Sequence, residues 1–278
     1  MSSRTIAIIG GGNMGRALVG GLIRRGTPPG AIRVGEPHEA ARQALQRDFG
    51  CVVAGDNAGC LQGADAVVVA VKPQLAAAVL AGIAPQLQAG RALVLSIMAG
   101  IRIASLEQWC GKGVPLVRAM PNRPALVGAG ATALYAPAEP RSTHARALAQ
   151  EIMGALGAIV WLTSEDHLDV VTALSGSGPA YFFLLAELMM QAAVDLGLEP
   201  HAARVLAVET LHGAGALAHA SDGDLARLRV EVTSRGGTTE AALRVLGEQQ
   251  AFGSLVRRAL DAAAQRSREM SRQFGAGT

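Results

Sequence analysis

The chain has 278 residues, half of them hydrophobic but only 3% aromatic, and a net charge of +3 scattered along its length. That length suits one large domain or two ordinary ones. With just two lysines (Lys72 and Lys112) and no aromatics interleaved among the arginines, nucleic acid is excluded as a partner, and the loose basic cluster Arg257, Arg258, Arg266, Arg268 and Arg272 reads as an ordinary helix face.

In chain order, Thr5 to Gly15 reads TIAIIGGGNMG: an apolar strand-like run, three glycines, then the helical RALVGGLIRRG. AIRVG is a second strand, followed by a helix from about His38 to Asp48. CVVAG is a third, and Asp56 and Asn57 open a short helical stretch. AVVVAV, at 66–71, is the continuous β-branched run of a strand buried on both faces. Lys72 and Pro73 follow it, then a helix over Gln74 to Leu87 and the strand ALVLSI. VPLVRAM, ATALY and AIVWL are three more strands, with a helix between the last two whose Leu148, Ile152 and Leu156 form one apolar face. Strands alternating with helices predict an α/β fold with a mostly parallel, doubly wound sheet over 1–163.

From Ser164 the β-rich runs stop, and 164–278 reads as an all-helical domain. SGSGPAYFFLLAELMMQAAVDLG is one long helix with Ser177 as N-cap, Pro179 in its first turn and Gly197 at its end. The next, from Pro200, is apolar nearly all round and is expected to be buried against other helices or another subunit. The apolar run Ala180 to Ala186 is broken by Glu187, short of the ~20 residues of a membrane span, so no membrane partner is expected. Cys51, Cys60 and Cys110 lack metal or redox spacing, and no signal segment precedes the first strand; both fit the cytoplasm.

Gly10, Gly12 and Gly15 match G-x-G-x-x-G between a strand and a helix. The first glycine permits the turn, the second lets a pyrophosphate touch the backbone, and the third lets helix approach strand. The helix N-terminus then faces the phosphates. Glu36 follows the second strand, where a ribose-binding carboxylate belongs; it repels a 2′-phosphate and favours NADH, with Arg42 one turn further on to offset it. Ligands of open parallel sheets sit beyond the carboxyl ends of the strands. Lys72 and Pro73 fall there, as do the small residues of SIMAG (Ser96 to Gly100) and Asn122 in RAMPNRP, although each also reads as an ordinary turn. In VTSRGGTTEAAL, glycines and threonines open a helix, which is either a plain N-cap or a carboxylate site. No H-E-x-x-H occurs, the histidines are dispersed, and Ser175-Gly-Ser-Gly-Pro lacks the first glycine of a nucleophile elbow, so neither metal nor nucleophile chemistry is expected.

Taken together, GGNMG, AVKP, MPN-x-P, LSGSGPAYFF and VTS-x-GGTT, in that order, resemble the pyrroline-5-carboxylate reductase family over nearly the whole chain. The resemblance implies a Rossmann-type domain, a helical dimerisation domain, and a homodimer or ring of dimers with the active site between subunits. It implies reduction of Δ1-pyrroline-5-carboxylate, a cyclic imine carboxylate, to L-proline by NADPH or NADH, the last step of proline biosynthesis. It places the cofactor phosphates on Gly10, Gly12, Asn13, Met14 and Gly15. Asn57 and the turn Ala70, Val71, Lys72 and Pro73 lie on the adenosine and ribose side, with Ala99 and Gly100 by the nicotinamide. Pro121 and Asn122 border the reaction centre; Gly237, Thr238 and Thr239 hold the substrate carboxylate, and Thr239 reaches the ring nitrogen. Two positions depart from the family pattern, Arg123 and Arg235, where a threonine and a proline are usual. They leave open a different cyclic imine acid as substrate, or a non-catalytic NAD(P)-binding regulator on the same fold. A hydroxyacid dehydrogenase of similar build is disfavoured, since no lysine follows Lys112.

Overall fold

The computed structural model describes residues 4–138 and 142–275. It divides into two compact units, Met1–Gly176 with Ala263–Thr278, and Ser177–Ala262.

The first unit holds an eight-stranded sheet. Its elements are β1 (Ile6–Ile9), α1 (Asn13–Arg24), β2 (Ile32–Gly35), α2 (Glu39–Phe49), β3 (Val52–Ala54), β4 (Ala66–Val69) and α3 (Ala76–Ala89). They continue with β5 (Leu93–Ser96), α4 (Ile103–Cys110), β6 (Leu116–Met120), β7 (Gly130–Tyr135), α5 (Ser142–Gly154), β8 (Gly157–Trp161) and α6 (His167–Val171). The strand order is β3-β2-β1-β4-β5-β6-β7-β8. β1 lies between β2 and β4, with Ile8 opposite both Val34 and Val68. These three strands are parallel, but the order in which successive strands are added reverses at β1/β4, the point where such folds open a crevice.

Alternation along each strand fills two cores. Ile6, Ile8, Ala66 and Val68 face one way and pack with Leu18 and Leu22 of α1, Leu45 of α2, and Leu148 and Ile152 of α5. Ala7, Ile9, Val67 and Val69 face the other way, with Leu80 and Ile83 of α3 and Leu106 of α4. The β-branched run at β4 is therefore buried on both sides, as its sequence predicts.

One pairing breaks the parallel pattern: β7 runs antiparallel to β6, with Ala119 opposite Leu134. The connection at 121–129 contains only a short 3-10 turn (Arg123–Val127) and is too short for a crossover, which takes about a dozen residues or more. The helix α4 was not expected from sequence; it is eight residues long and carries its apolar Ile103, Leu106 and Cys110 inward.

The second unit is helical: α7 (Gly178–Asp195), α8 (Pro200–Ala220), α9 (Leu225–Glu231), α10 (Thr238–Gly247) and the first half of α11 (Ala251–Gly275). Gly197, at φ +97°, closes α7 by donating its N–H to Val194, as expected. One expectation is corrected at the start of α7. Ser177 does not cap α7, because a π-helical turn (Thr172–Gly176) runs straight into it and leaves Ser177 in helical geometry with no side-chain cap. That continuity joins His167 to Asp195 into one run of mean hydropathy 1.3, long and apolar enough to cross a membrane by length and composition, with 22% of its window buried within the chain. The sequence boundary at 163/164 also differs from the division by compactness. The α6 region and residues from Ala263 onward belong to the sheet unit, because Asp169 on α6 accepts from Ser267 on α11 at 2.6 Å, with both side chains buried.

α8, expected to be buried, keeps only Ala203 buried within the chain. On α7 and α8, Phe182, Phe183, Leu184, Leu188, Leu206 and Val208 are exposed. An apolar area of this kind on paired helices is the mark of an interaction surface.

Candidate functional site

The turn between β1 and α1 gives each of its glycines a separate task. Gly10 has φ +107° and donates its N–H to Gly35 at 2.8 Å; a Cβ there would sit 2.7 Å from the Ala70 carbonyl oxygen. Only glycine meets both demands. A Cβ on Gly15 would come within 2.2 Å of the Gly10 carbonyl oxygen, so the third glycine is set by helix-to-strand contact. Gly12 differs from both: nothing lies within 4 Å of its missing Cβ, and it stands as N-cap of α1 with no side chain to cap the free N–H groups. The backbone there offers an open cradle with donors pointing into it, which suits a pyrophosphate. The residues fit a dinucleotide.

The strand ends around that cradle carry the other expected contacts. Ala70 and Val71 close over Gly10, with Val71 Cγ1 3.3 Å from its missing Cβ, while Lys72 is exposed and leads Pro73 into a 3-10 turn. Asn57 lies against the end of β2, where Gly35 leaves room: a Cβ on Gly35 would meet Asn57 Oδ1 at 2.6 Å. Glu36 is buried, its Oε2 accepting from the N–H of Gly11 at 2.9 Å and its Oε1 from that of His38 at 3.0 Å.

Two expected residues are more constrained than the sequence suggests. Gly100, at φ +77°, is covered by α11: a Cβ there would sit 3.3 Å from Met270 and Ser271. It admits the helix backbone, and the half-buried Ala99 is left as the more open of the pair. Asn122 is 9% exposed, and its carboxamide is engaged at both ends, Oδ1 accepting from Ala131 N at 2.8 Å and Nδ2 donating to the Ser175 carbonyl at 3.0 Å. It braces the β6–β7 turn against the π-helical turn, which is a positioning role. Arg123 and Arg235 are both exposed.

In the second unit, α10 begins at Thr238 with Gly237 as an extended N-cap that supplies no side chain. Gly236, at φ +73°, donates to Glu240 Oε2 at 2.8 Å and Gly237 donates to the Ser234 carbonyl at 3.0 Å, so the loop is fastened. The N–H groups of the first turn remain without a side-chain cap, beside the hydroxyls of an exposed Thr238 and a half-buried Thr239. A fixed helix start of this kind favours a carboxylate.

Sequence reasoning missed a buried ion pair. Arg118 Nη1 lies 2.6 Å from Glu165 Oε1, with side chains 7% and 14% exposed. The same oxygen accepts from Ile103 N at 2.7 Å, and Arg102 approaches Oε2 at 3.4 Å. Burial pulls the Arg118 guanidinium below its ordinary value, and the charge of Glu165 works against that. The pair joins β6, the start of α4 and the segment before α6. An arginine inside the apolar run VPLVRAM was the one sequence signal for it.

Among the described residues no group of His, Cys, Asp and Glu is placed to hold a metal ion.

Comparison with known proteins matches two separate stretches of the chain. Residues 165–270 match the family model "Pyrroline-5-carboxylate reductase dimerisation", and residues 5–100 match "NADP oxidoreductase coenzyme F420-dependent". A pyrroline-5-carboxylate reductase of Pseudomonas aeruginosa is 44% identical over 275 residues, spanning 99% of this chain and 100% of that protein. One from Vibrio alginolyticus is 39% identical, over 99% and 100%. Of solved structures, the pyrroline-5-carboxylate reductase of Coxiella burnetii superposes with a TM-score of 0.91 at 39% identity, covering 97% of this chain and 99% of that one. The Plasmodium falciparum pyrroline carboxylate reductase with NADP bound gives 0.82 at 29% identity, over 98% and 99%.

Proposed function

This chain belongs to the pyrroline-5-carboxylate reductase family, and from that premise we propose how its own residues divide the work. The activity is NADPH- or NADH-dependent reduction of Δ1-pyrroline-5-carboxylate to L-proline. The bound dinucleotide supplies the hydride. A protonated cyclic imine is already electrophilic, so the protein's part is to hold the partners, exclude water and stabilise the shifting charge.

In this reading Gly12 and the uncapped start of α1, with Gly10, Asn13, Met14 and Gly15, receive the pyrophosphate. Asn57 and Ala70 to Pro73 flank the adenosine and ribose. Ala99 lines the nicotinamide side, and Gly100 sets the turn behind it. Asn122 positions the loop bordering the reaction centre. Gly237, Thr238 and Thr239 take the substrate carboxylate at the start of α10, and the Thr239 hydroxyl hydrogen-bonds the ring nitrogen. The open space at the missing Cβ of Gly12, between two glycines that contact leaves no room to replace, is the observation that carries the cofactor half.

The exposed apolar faces of α7 and α8, within the region matched by the dimerisation model, support a homodimer or ring of dimers in which a second copy, and not lipid, covers the His167–Asp195 run. Three free, buried cysteines support a reducing, cytoplasmic setting.

The test is oxidation of NADPH and NADH by the purified protein with Δ1-pyrroline-5-carboxylate and with its six-membered homologue. Preferential turnover of the five-membered ring supports the assignment and makes Arg123 and Arg235 tolerated variation. Turnover of the six-membered ring alone assigns those arginines to a changed pocket. Dinucleotide binding with no turnover of either makes the chain a non-catalytic binder.

A further inference from the structure

Two charged groups sit at the corner where β2 meets α2, and they are committed differently. Glu36 is 8% exposed, and each carboxylate oxygen already accepts a backbone N–H, from Gly11 on one side and His38 on the other. The first bond fastens the glycine turn; the second closes the turn into α2. The fit is close: a Cβ on Gly11 would meet Leu45 Cδ1 at 2.7 Å and Glu36 Oε2 at 3.2 Å. A carboxylate that reads a ribose accepts from its hydroxyl at the crevice. This one is turned inward, onto the backbone.

Arg42, one turn into α2, is held without being used up. Its Nη1 donates to the Glu36 carbonyl at 2.9 Å and the Pro37 carbonyl at 2.7 Å. Gly55, just beyond β3, lies beneath it, with its missing Cβ 3.4 Å from Nη1. Both bonds use one nitrogen, so Nε and Nη2 have no hydrogen-bond partner among the described residues. A guanidinium fixed in this way loses little freedom on binding, and its open edge has the fork geometry that matches a phosphate. His38, the N-cap of α2, provides no side-chain cap, so the first-turn N–H groups add donors nearby. Glu39 opposes them, but it is exposed and accepts from Gln43.

We infer that Arg42 determines cofactor choice by taking the 2′-phosphate of NADPH, and that Glu36 is a positioning residue which pins the glycine turn and does not select against that phosphate. The inference rests on the dinucleotide site proposed above. It reverses what residue type alone suggests, that Glu36 favours NADH.

Isothermal titration calorimetry on the purified protein tests it, using NADPH, NADH, 2′,5′-ADP and 5′-ADP as probes. Arg42→Ala is expected to weaken NADPH and 2′,5′-ADP by roughly 10- to 100-fold, the scale of a lost bond to a charged group, while NADH and 5′-ADP change less than about twofold. Arg42→Lys, which keeps the charge without the fork, restores part of the loss. Glu36→Gln is expected to weaken both dinucleotides by the same factor and to lower Tm. Equal loss of NADPH and NADH in Arg42→Ala overturns the inference, since Arg42 would then only brace the turn. So does a several-fold swing toward NADPH in Glu36→Gln, since the carboxylate would then be reading the ribose. Failure of the dinucleotide site itself looks different: the native chain would bind none of the four probes, and the inference would fall with it.

Discussion

Replacing Glu165 with alanine removes the counter-ion of an arginine whose side chain is 7% exposed. Breaking a buried pair from one side costs about 3–5 kcal/mol, because the remaining charge stays buried and unpaired. The N–H of Ile103 loses its acceptor as well, worth about 1 kcal/mol. Asp169 also exerts an attractive charge on Arg118, which softens the loss, so about 3–4 kcal/mol is expected for Glu165→Ala. The reverse change is milder. Arg118→Met fills the space with apolar atoms, and Glu165 keeps Ile103 N and Arg102 at 3.4 Å, so about 1 kcal/mol is expected. The assay is urea unfolding followed by tryptophan fluorescence, which reports the first unit because both tryptophans, Trp109 and Trp161, lie in it. Equal costs for the two variants, or a cost under about 1 kcal/mol for Glu165→Ala, would refute the reasoning by showing that Arg118 relaxes into solvent.

The glycine turn offers a contrast: Gly12→Ala, into open space, is expected to leave Tm unchanged and weaken dinucleotide binding by roughly tenfold or more, whereas Gly15→Ala, 2.2 Å from a carbonyl oxygen, lowers Tm by several degrees. Calorimetry and thermal melts separate the two, and equal melts for both variants would contradict the assignment. Asn122→Ala strips acceptor and donor from Ala131 N and the Ser175 carbonyl, so a loss of about 1–3 kcal/mol should appear in the same urea assay; unaltered stability would return Asn122 to a purely chemical role. Thr239→Ala is expected to lower kcat more than it weakens cofactor binding, and unchanged steady-state turnover would remove Thr239 from the ring nitrogen. Burial pushes the Cys110 thiol up to about 12, and raises Cys51 and Cys60 too. The folded state therefore holds these protons more tightly than the unfolded one. Stability is full below the ordinary thiol value of 9.0 and drains as pH rises toward about 12, so a urea midpoint flat over that range would contradict it.

The glycine turn was legible in the sequence because its demands are local. A positive φ at Gly10 and the approach of α1 to β1 are consequences of a few consecutive residues, and glycine alone satisfies them. The β4 run announced a doubly buried strand for the same reason, and Gly197 announced the end of α7. The eight residues of α4 were missed because an apolar pattern at 103, 106 and 110 is too brief to stand out from a loop. Ser177 looked like a cap by residue type, and only the π-helical turn before it took that role away.

By itself, then, the sequence determined the doubly wound sheet, the helical second half, the dinucleotide turn and the family motifs, all of which rest on residue type and short-range periodicity. The tertiary structure decided what the polar side chains at the sheet's end are committed to. Glu36 faces Gly11, Asn122 faces Ser175, Arg118 faces Glu165, and Gly100 lies under Met270. Each partnership joins residues distant along the chain and from different elements. A carboxylate or carboxamide is recognisable from its letter, but whether its oxygens remain open to a ligand depends on which backbone groups the folded sheet brings to them. Buried polar atoms must find partners, and only packing supplies them.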